Sequence, residues 1–183
     1  PFGCLEFMLP YFRKILCGGM LLWVVMAIAL PSCASLRAAE ERPAVDRILV
    51  DKSDHRLHLV ADGQVIQSYR ISLGSHPTGD KVEQGDKKTP EPQYVIDWRN
   101  PDSRYYRALH ISYPNAADRA EARRRGVDPG GMIMIHGLPD SDTGNGEGYV
   151  GMDWTDGCIA LTNAEIDQLW EAVKDGTAIE IVP

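Results

Sequence analysis

Two adjoining segments alternate polar and apolar residues with the period of a β-strand. Residues 46–60 contain the runs RILV and RLHLV, and residues 64–73 alternate again. The Asp62-Gly63 pair between them is typical of a two-residue hairpin turn, because glycine adopts positive φ without strain. Neighbouring strands that alternate in this way form an antiparallel sheet with one buried face. The sequence therefore predicts a domain built mainly from short antiparallel strands.

Further strand patterns follow along the chain. They occur at 93–98, 132–135 and 177–182, and each is short and rich in apolar residues. The glycine- and lysine-rich piece 79–92 sustains neither a helical nor a strand period. We therefore expect that piece to be a loop between strands.

Two segments have the start and stop signals of helices. Asn115 precedes a run of good helix formers that ends at Gly126. Thr162 and Glu165 have the spacing of a capping box, an apolar stripe follows them, and Gly176 is the predicted stop. Together with the strands, these segments predict a domain that is mainly β with a few helices.

The N-terminal residues have the pattern of a targeting segment. Arg13 and Lys14 precede the apolar run 15–30, and small residues follow it. The run is shorter than the roughly 20 apolar residues of a membrane-spanning helix, which favours a signal peptide. Cys33 follows the residues LPS as in a lipoprotein signal, so it is a candidate lipid anchor, although an ordinary signal peptidase could also cleave here. Met8, just ahead of the basic pair, is the expected start.

These signals divide the chain into three parts. Residues 1–37 are the predicted signal peptide and the start of a tether, residues 38–45 continue the tether, and residues 46–183 form one domain. Export places that domain in the periplasm or cell envelope. Without Glu6, Arg13 and Lys14, the chain keeps 17 basic and 25 acidic side chains from its 19 and 26. This acidity argues against nucleic acid as a partner, because nucleic-acid binding requires clustered cations.

The cysteines direct attention to one position. Of the four cysteines, only Cys158 lies beyond the targeting segment, so the domain cannot form an internal disulfide. Cys158 follows Gly157, and His136 ends the predicted strand 132–135. A neighbouring imidazole can accept a thiol proton and hold the thiolate as an ion pair, which activates the sulfur as a nucleophile. The alternative is an inert buried cysteine beside a core histidine.

The residues around this pair carry a family resemblance. MIHG, followed at this distance by WTDGCIALTN, resembles the signature of the L,D-transpeptidase (YkuD-like) family, His-Gly and then Ser/Thr-x-Gly-Cys. The Gly-x-x-x-Thr-Pro piece at 85–90 also falls in the family's order. The resemblance implies a β-sandwich-like catalytic fold without a cofactor. It also implies acyl transfer through a thioester, with peptidoglycan stem peptides cleaved next to meso-diaminopimelate and an amine or water as acceptor.

The resemblance also assigns roles to residues at the pair. Cys158 would be the nucleophile and His136 the general base and acid. The carbonyl of Gly137 would orient the imidazole, and the backbone of Gly157 would contribute to the oxyanion hole.

Three further residues are candidates for substrate binding. By the resemblance, Thr155 and Asp156 would shape the pocket beside the nucleophile. His110 lies on a predicted strand and could approach the cleft, although a lone histidine on a strand is more often structural. All three are expected to contact the stem peptide.

One position departs from the family's pattern. Ala160 stands where most members carry arginine, two residues after the cysteine. GCIAL, with the segment LHISYPN, is more similar to a YafK-like branch, which includes an amidase that detaches a wall-bound lipoprotein. Hydrolysis, by an L,D-carboxypeptidase or an amidase, therefore stays open beside cross-linking. A catalytically dead wall-binding lipoprotein is the third alternative.

No metal site or cofactor is predicted. His55 and His58 are three residues apart, which places them on opposite faces of a strand and makes them poor partners for one metal. Asp140 and Asp142 resemble the start of a calcium loop, but glycine occupies the position of its glutamate. The arginines 123–125 could meet stem-peptide carboxylates, yet a charged helix end is more often a solvated face. The oligomeric state stays open.

Overall fold

Eight strands and two helices make up the part of the chain that the computed structural model describes, residues 43–140, 146 and 148–183. The signal peptide and most of the tether lie outside these residues. The strands are β1 (Arg47–Asp51), β2 (Arg56–Ala61), β3 (Gln64–Arg70), β4 (Gln93–Ser103), β5 (Tyr106–Ile111), β6 (Met134–His136), β7 (Ile159–Ala160) and β8 (Ala178–Val182). The helices are α1 (Ala116–Arg125) and α2 (Asn163–Ala172). Over the described residues, neither helix has the length and apolar character needed to cross a bilayer.

The predicted hairpin is present. β2 and β3 pair antiparallel, and the turn between them has φ of 49° at Asp62 and 74° at Gly63. β1 pairs antiparallel with β2, and buried residues alternate with more exposed ones along β1 and along β2 as far as Leu59, after which Val60 and Ala61 are also buried. The period of two in the sequence therefore marks the core-facing side, as expected.

The strands form one continuous sheet that wraps around the core. Their order is β3-β2-β1-β8-β4-β5-β6-β7. β4 is longer than the predicted 93–98: residues 93–95 pair with β8, and from Ile96 onward the strand pairs with β5, with a bulge between Ile96 and Trp98. A strand that changes partners at a bulge is how a sheet turns a sandwich corner. The prediction of a mainly β, sandwich-like fold with a few helices is confirmed.

The two edges of the sheet meet next to the predicted nucleophile. Beyond β3, the backbone of Ser72 exchanges two hydrogen bonds of 2.9 Å with Ala160 of β7. A second bridge joins Gly74 to Thr155. These contacts fix both ends of the turn that carries Cys158.

Both helices begin at the predicted caps. The Asn115 side chain accepts from the amides of Ala117 and Asp118, and Gly126 ends α1 at φ 71°. α2 has the predicted reciprocal box of Thr162 and Glu165. Its end differs from the prediction, because the helix stops at Ala172 and the extended residue Val173 is its C-cap. Gly176 instead lies in the turn before β8, with φ of 91°.

His55 and His58, which the sequence analysis rejected as a metal-binding pair, lie differently from the prediction. His55 has φ of 50° and lies in the turn before β2, so it does not share a strand with His58. Its Nε2 is 3.0 Å from a carboxylate oxygen of Asp153, whereas His58 contacts Ser68 at 2.7 Å. Within the described ranges, no group of three His, Cys, Asp or Glu side chains could hold a metal.

Candidate active site

His136 is buried at the end of β6, with 3% of its surface exposed. Its Nδ1 lies 2.7 Å from the carbonyl oxygen of Gly137, the contact that the resemblance implied. A carbonyl oxygen only accepts, so Nδ1 carries the proton and Nε2 has a free lone pair. The imidazole is therefore held in the tautomer that a general base needs.

The residue after the imidazole must be glycine. The Gly137 amide donates to the carbonyls of Tyr105 at 3.0 Å and Arg107 at 3.2 Å. A Cβ at this position would lie 2.5 Å from Oδ1 of Asn163 and 3.0 Å from the Tyr105 oxygen. The backbone that orients His136 is thus fixed by contacts that no larger side chain would permit.

Cys158 lies immediately before β7, the strand that runs parallel to β6. Ala160 is the partner of His136 in that pairing. The amide of Met134 donates to Sγ of Cys158 at 3.4 Å, and Sγ is 3.8 Å from the carbonyl oxygen of Met132. These two backbone groups are the hydrogen-bond partners of Sγ among the described residues. The structure therefore brings thiol and imidazole to adjacent strands without a direct hydrogen bond between them.

Thr155 builds the turn that presents the thiol. Its hydroxyl accepts from the Gly157 amide at 3.1 Å and donates to the Cys158 carbonyl at 2.7 Å. The side chain is 4% exposed. Both functions of the hydroxyl are used inside the turn, and a contact between Thr155 and substrate stays a prediction.

Gly157 shapes the turn through its conformation. It has φ of 124°, and a Cβ there would lie 2.5 Å from the carbonyl oxygen of Lys88. Because its amide is engaged by Thr155, the expected role of the Gly157 N–H as an oxyanion donor is not supported. The Cys158 N–H has no hydrogen-bond partner in the described part of the chain, so it is the donor that remains available next to the sulfur.

Burial opposes charge on both groups of the pair. It lowers the pKa of His136 to about 4, although the hydrogen bond to Gly137 acts in the opposite direction. Burial also raises the pKa of the Cys158 thiol, as does the charge of Asp156, while the Met134 amide and Lys81 lower it. Both shifts favour the uncharged thiol and the uncharged imidazole over the ion pair that activation by a nearby base suggested.

An aromatic cluster surrounds the imidazole. The ring centroids of Tyr105 and Trp154 lie 4.5 Å and 5.7 Å from that of His136, and Tyr149 packs on Trp154 at 5.2 Å. The indole Nε1 of Trp154 is buried and has no hydrogen-bond partner among the described residues. Sequence reasoning missed these side chains, although Trp154 directly precedes the Thr-x-Gly-Cys motif.

His110 has local partners of its own. Its Nδ1 is 2.6 Å from a carboxylate oxygen of Asp97, and its ring stacks on Trp98 at a centroid distance of 4.8 Å. Its backbone pairs with Met134. The structure shows no contact from His110 to Cys158 or His136 among the described residues, so the expected approach to the cleft is not observed.

The arginines at the end of α1 are partly engaged. Arg125 lies 2.5 Å from a Glu121 oxygen, and Arg124 pairs with the same carboxylate. All three arginines stand in the last helical turn, where cations interact favourably with the helix dipole. These contacts support the solvated helix end rather than a substrate site.

Comparison with known proteins identifies a family and a relative. Residues 45–181 match YkuD, described as the L,D-transpeptidase catalytic domain. A protein of Escherichia coli (strain K12), described as "Putative L,D-transpeptidase YafK", is 39% identical over 113 residues. The match covers 60% of this chain and 38% of that protein.

Two solved structures share the fold over three quarters of the chain. The helical cell shape determining protein Pgp2 from Campylobacter jejuni is 29% identical with a TM-score of 0.58, covering 76% of this chain and 48% of that one. Bd1075 from Bdellovibrio bacteriovorus is 29% identical with a TM-score of 0.53, covering 76% and 48%. The chain thus spans less than half the length of each relative.

Proposed function

The chain belongs to the L,D-transpeptidase catalytic domain family, and on that premise we propose that it transfers acyl groups of peptidoglycan stem peptides through Cys158. The observation that carries the proposal is the fixed tautomer of His136. Its Nε2 can accept a proton, and His136 lies on β6, the strand beside the turn that carries Cys158 (residues 155–158, the nucleophile turn). Acyl transfer requires a reactive thiol, a neutral base and an oxyanion donor. Within the described residues, Cys158 is a free cysteine, His136 is held neutral, and the Cys158 amide has no other partner.

The first half-reaction forms a thioester. As Sγ of Cys158 attacks the carbonyl carbon of the stem-peptide bond, Nε2 of His136 takes the thiol proton, and the carbonyl oxygen becomes an oxyanion. The free Cys158 N–H is positioned to donate to that oxygen. The tetrahedral adduct then collapses: the C–N bond breaks, and His136 returns the proton to the leaving amine.

The second half-reaction releases the acyl group. An acceptor amine or a water molecule attacks the thioester carbon, and His136 takes its proton. The C–S bond breaks, and His136 protonates the departing sulfur, which restores the neutral pair. An amine acceptor gives a cross-link, and water gives a shortened stem.

The small, uncharged side chain of Ala160 favours water over an amine as the acceptor, which makes hydrolysis the second candidate function. The residue is 3% exposed, is bonded to Ser72, and faces His136 across the pair of strands. Position 160 therefore contributes no cation to hold an anionic partner beside the nucleophile. We expect Ala160→Arg to increase the ratio of cross-linked to hydrolysed product by roughly tenfold, because a hydrogen bond to a charged group is worth about 1.5–3 kcal/mol. An unchanged product ratio would show that this position does not select the acceptor.

Export is the second part of the proposal. It is supported by the basic pair Arg13-Lys14, the apolar run 15–30 and the small residues that follow it, which end at the candidate anchor Cys33. The proposed location is the periplasm or cell envelope. Fractionation of the producing cell, with Cys33→Ser as the variant, tests it: a lipid-anchored protein should leave the membrane fraction when the cysteine is replaced.

Mass spectrometry of muropeptides tests the activity. Purified sacculi are incubated with the wild type and with Cys158→Ser, which keeps the size of the side chain and replaces the sulfur. Cross-links, shortened stems and released protein each leave different masses, and only the wild type should produce any of them. Turnover by the serine variant at the wild-type rate would rule out Cys158 as the nucleophile.

A further inference from the structure

A buried lysine anchors the loop 79–92, which packs against the nucleophile turn. Lys52 directly follows β1, and its side chain is 3% exposed. Its Nζ donates to the carbonyl oxygens of Gly79 at 2.8 Å and Thr89 at 3.3 Å, and to Oε1 of Glu91 at 2.5 Å. An ammonium group has three N–H donors, so each is used by one of these contacts. All three acceptors belong to the loop.

The buried ammonium does something that an apolar side chain could not. Removing a lysine and a glutamate from water opposes folding, and apolar side chains of similar volume often stabilise a core as well as a buried ion pair does. Thr89, however, is fully buried outside any helix or strand, so its carbonyl needs a partner that regular secondary structure does not supply. Lys52 supplies that partner and fixes the position of Thr89.

Three consecutive residues of the loop contact the backbone around the nucleophile turn. The Thr89 hydroxyl accepts from the amide of Gly74 at 3.2 Å. A Cβ at Gly157 would lie 2.5 Å from the carbonyl oxygen of Lys88, and a Cβ at Gly74 would overlap the carbonyl oxygen of Lys87. Both glycines therefore pack on the loop more closely than any larger residue could.

Hydrogen bonds continue from Gly74 to the nucleophile. Gly74 forms a bridge with Thr155, whose amide donates to the carbonyl of Leu73 at 3.1 Å. The Thr155 hydroxyl in turn bonds the amide of Gly157 and the carbonyl of Cys158. A continuous series of hydrogen bonds and close backbone contacts thus leads from the buried ammonium to the residue whose free N–H lies beside the sulfur.

We propose that Lys52, acting through Thr89, is a positioning residue that keeps the Cys158 amide aimed at the oxyanion of the acyl-transfer reaction. The inference rests on the proposed acyl-transfer function and adds to it a residue outside the motif that contains the cysteine. Among the described residues, Lys52 has no hydrogen bond to Cys158 or His136. Its effect on the reaction therefore passes through the loop and the turn.

Two reagents distinguish the amide from the thiol. The charges of Asp156 and Lys81 shift the pKa of the Cys158 thiol, so replacing Lys52 should leave the ionisation of the thiol unchanged. Alkylation by iodoacetamide forms no oxyanion, and its rate reports the thiol alone. Acetylation by p-nitrophenyl acetate passes through a tetrahedral oxyanion and also reports the amide donor. Peptide mass mapping at Cys158 gives both rates, and their ratio measures the positioning.

Variants at both ends of the proposed path test it. Lys52→Met keeps the length of the side chain and should lower the ratio of acetylation to alkylation roughly tenfold, because one well-aligned oxyanion donor contributes about a hundredfold or more. Its alkylation rate should follow the wild-type pH profile. Thr89→Val cannot accept from the Gly74 amide and should lower the ratio similarly, whereas Thr89→Ser keeps the hydroxyl and should restore it. The double variant Lys52→Met/Thr89→Val should lower the ratio little further, since both residues act along one path.

Arg99→Met is the matched control for stability. The Arg99 guanidinium likewise donates to two backbone carbonyls, those of Trp170 and Val173, and pairs with Asp175. These contacts lie at the end of α2 rather than at the nucleophile turn. Arg99→Met should therefore lower the free energy of unfolding and leave the ratio at its wild-type value. An equal fall of the ratio in Arg99→Met would reduce the role of Lys52 to general stability and overturn the inference.

The wild type separates this inference from the proposed function. A wild-type ratio no higher than that of the urea-unfolded chain would refute an oxyanion donor at Cys158 and the positioning role with it. A high wild-type ratio that Lys52→Met and Thr89→Val retain would refute the positioning role alone, and the Thr89 variants decide this even if Lys52→Met does not fold. A ratio that falls in these variants, in a protein that leaves purified sacculi unchanged, would support the positioning role and refute only the proposed substrate.

Discussion

Acid should destabilise the folded domain through His136. Burial lowers the pKa of this imidazole from 6.5 to about 4, so the unfolded chain takes up a proton in a pH range where the folded protein resists it. The stabilisation is fully present above pH 6.5 and is lost as the pH falls toward 4. At about 1.4 kcal/mol per pKa unit, the complete loss is roughly 3 kcal/mol, and about 2 kcal/mol of it should occur between pH 7.5 and pH 5.0.

Urea unfolding at these two pH values measures the effect. The chain has four tryptophans, so fluorescence follows the transition, and linear extrapolation gives the free energy of unfolding. Other groups also titrate in this range, so the quantity of interest is the difference between the wild type and His136→Gln. The glutamine can still donate to the Gly137 carbonyl, yet it cannot be protonated. The wild type should lose about 2 kcal/mol more than the variant.

Cys158→Ala is the matched control. It retains the imidazole and removes the thiol, so a neutral pair predicts the same acid-dependent loss as in the wild type. A thiolate–imidazolium pair holds the same single proton as the neutral pair, so the sign of the loss does not distinguish the two; a loss that differs between the wild type and Cys158→Ala would show that the charge of the thiol is coupled to the imidazole. A wild type that loses no more stability than His136→Gln would refute the argument that the folded site keeps the imidazole neutral.

Two further tests address the nucleophile turn. Because burial raises the pKa of the Cys158 thiol, iodoacetamide should alkylate the native protein more slowly at pH 7.5 than the urea-unfolded chain, and the native rate, read from intact mass, should still rise above pH 9. A rate that is flat from pH 6 to pH 9 would contradict this. Thr155→Val should lower the free energy of unfolding by about 1–3 kcal/mol, since both partners of the hydroxyl are left unsatisfied. Thr155→Ser retains both bonds and should restore the wild-type value in the same urea titration.

The elements that the sequence predicted well are those encoded by neighbouring residues. Asp62-Gly63 set the hairpin, and Asn115 and Thr162 began their helices, because each signal acts within a few positions. β4 was underestimated, since residues beyond Trp98 such as Asn100 are weak strand formers alone and become a strand through pairing with β5. Tertiary pairing, which no local pattern contains, decides such a segment.

For the same reason, the sequence predicted some residues of the site and missed the contacts between them. The motif placed Cys158 and His136, but spacing could not show that the Thr155 hydroxyl engages the Gly157 amide and so removes it from the oxyanion site. A lone lysine in a glycine-rich loop is usually exposed, so Lys81 gave no signal of burial. Contacts of this kind depend on which loops the fold brings together.

The neutral pair has a consequence for how the thiol reacts. Because burial lowers the pKa of His136 and raises that of Cys158, the two values move apart, and little thiolate exists before substrate binds. In the proposed reaction, the proton would therefore be transferred as the carbonyl is attacked, when the developing oxyanion and the free Cys158 amide offset the charge on the imidazole. A reagent that offers no such oxyanion gains nothing from this arrangement. Reactivity toward acyl substrates and reactivity toward simple alkylating agents should thus diverge in this site, and a slow reaction with the latter would not indicate an inactive cysteine.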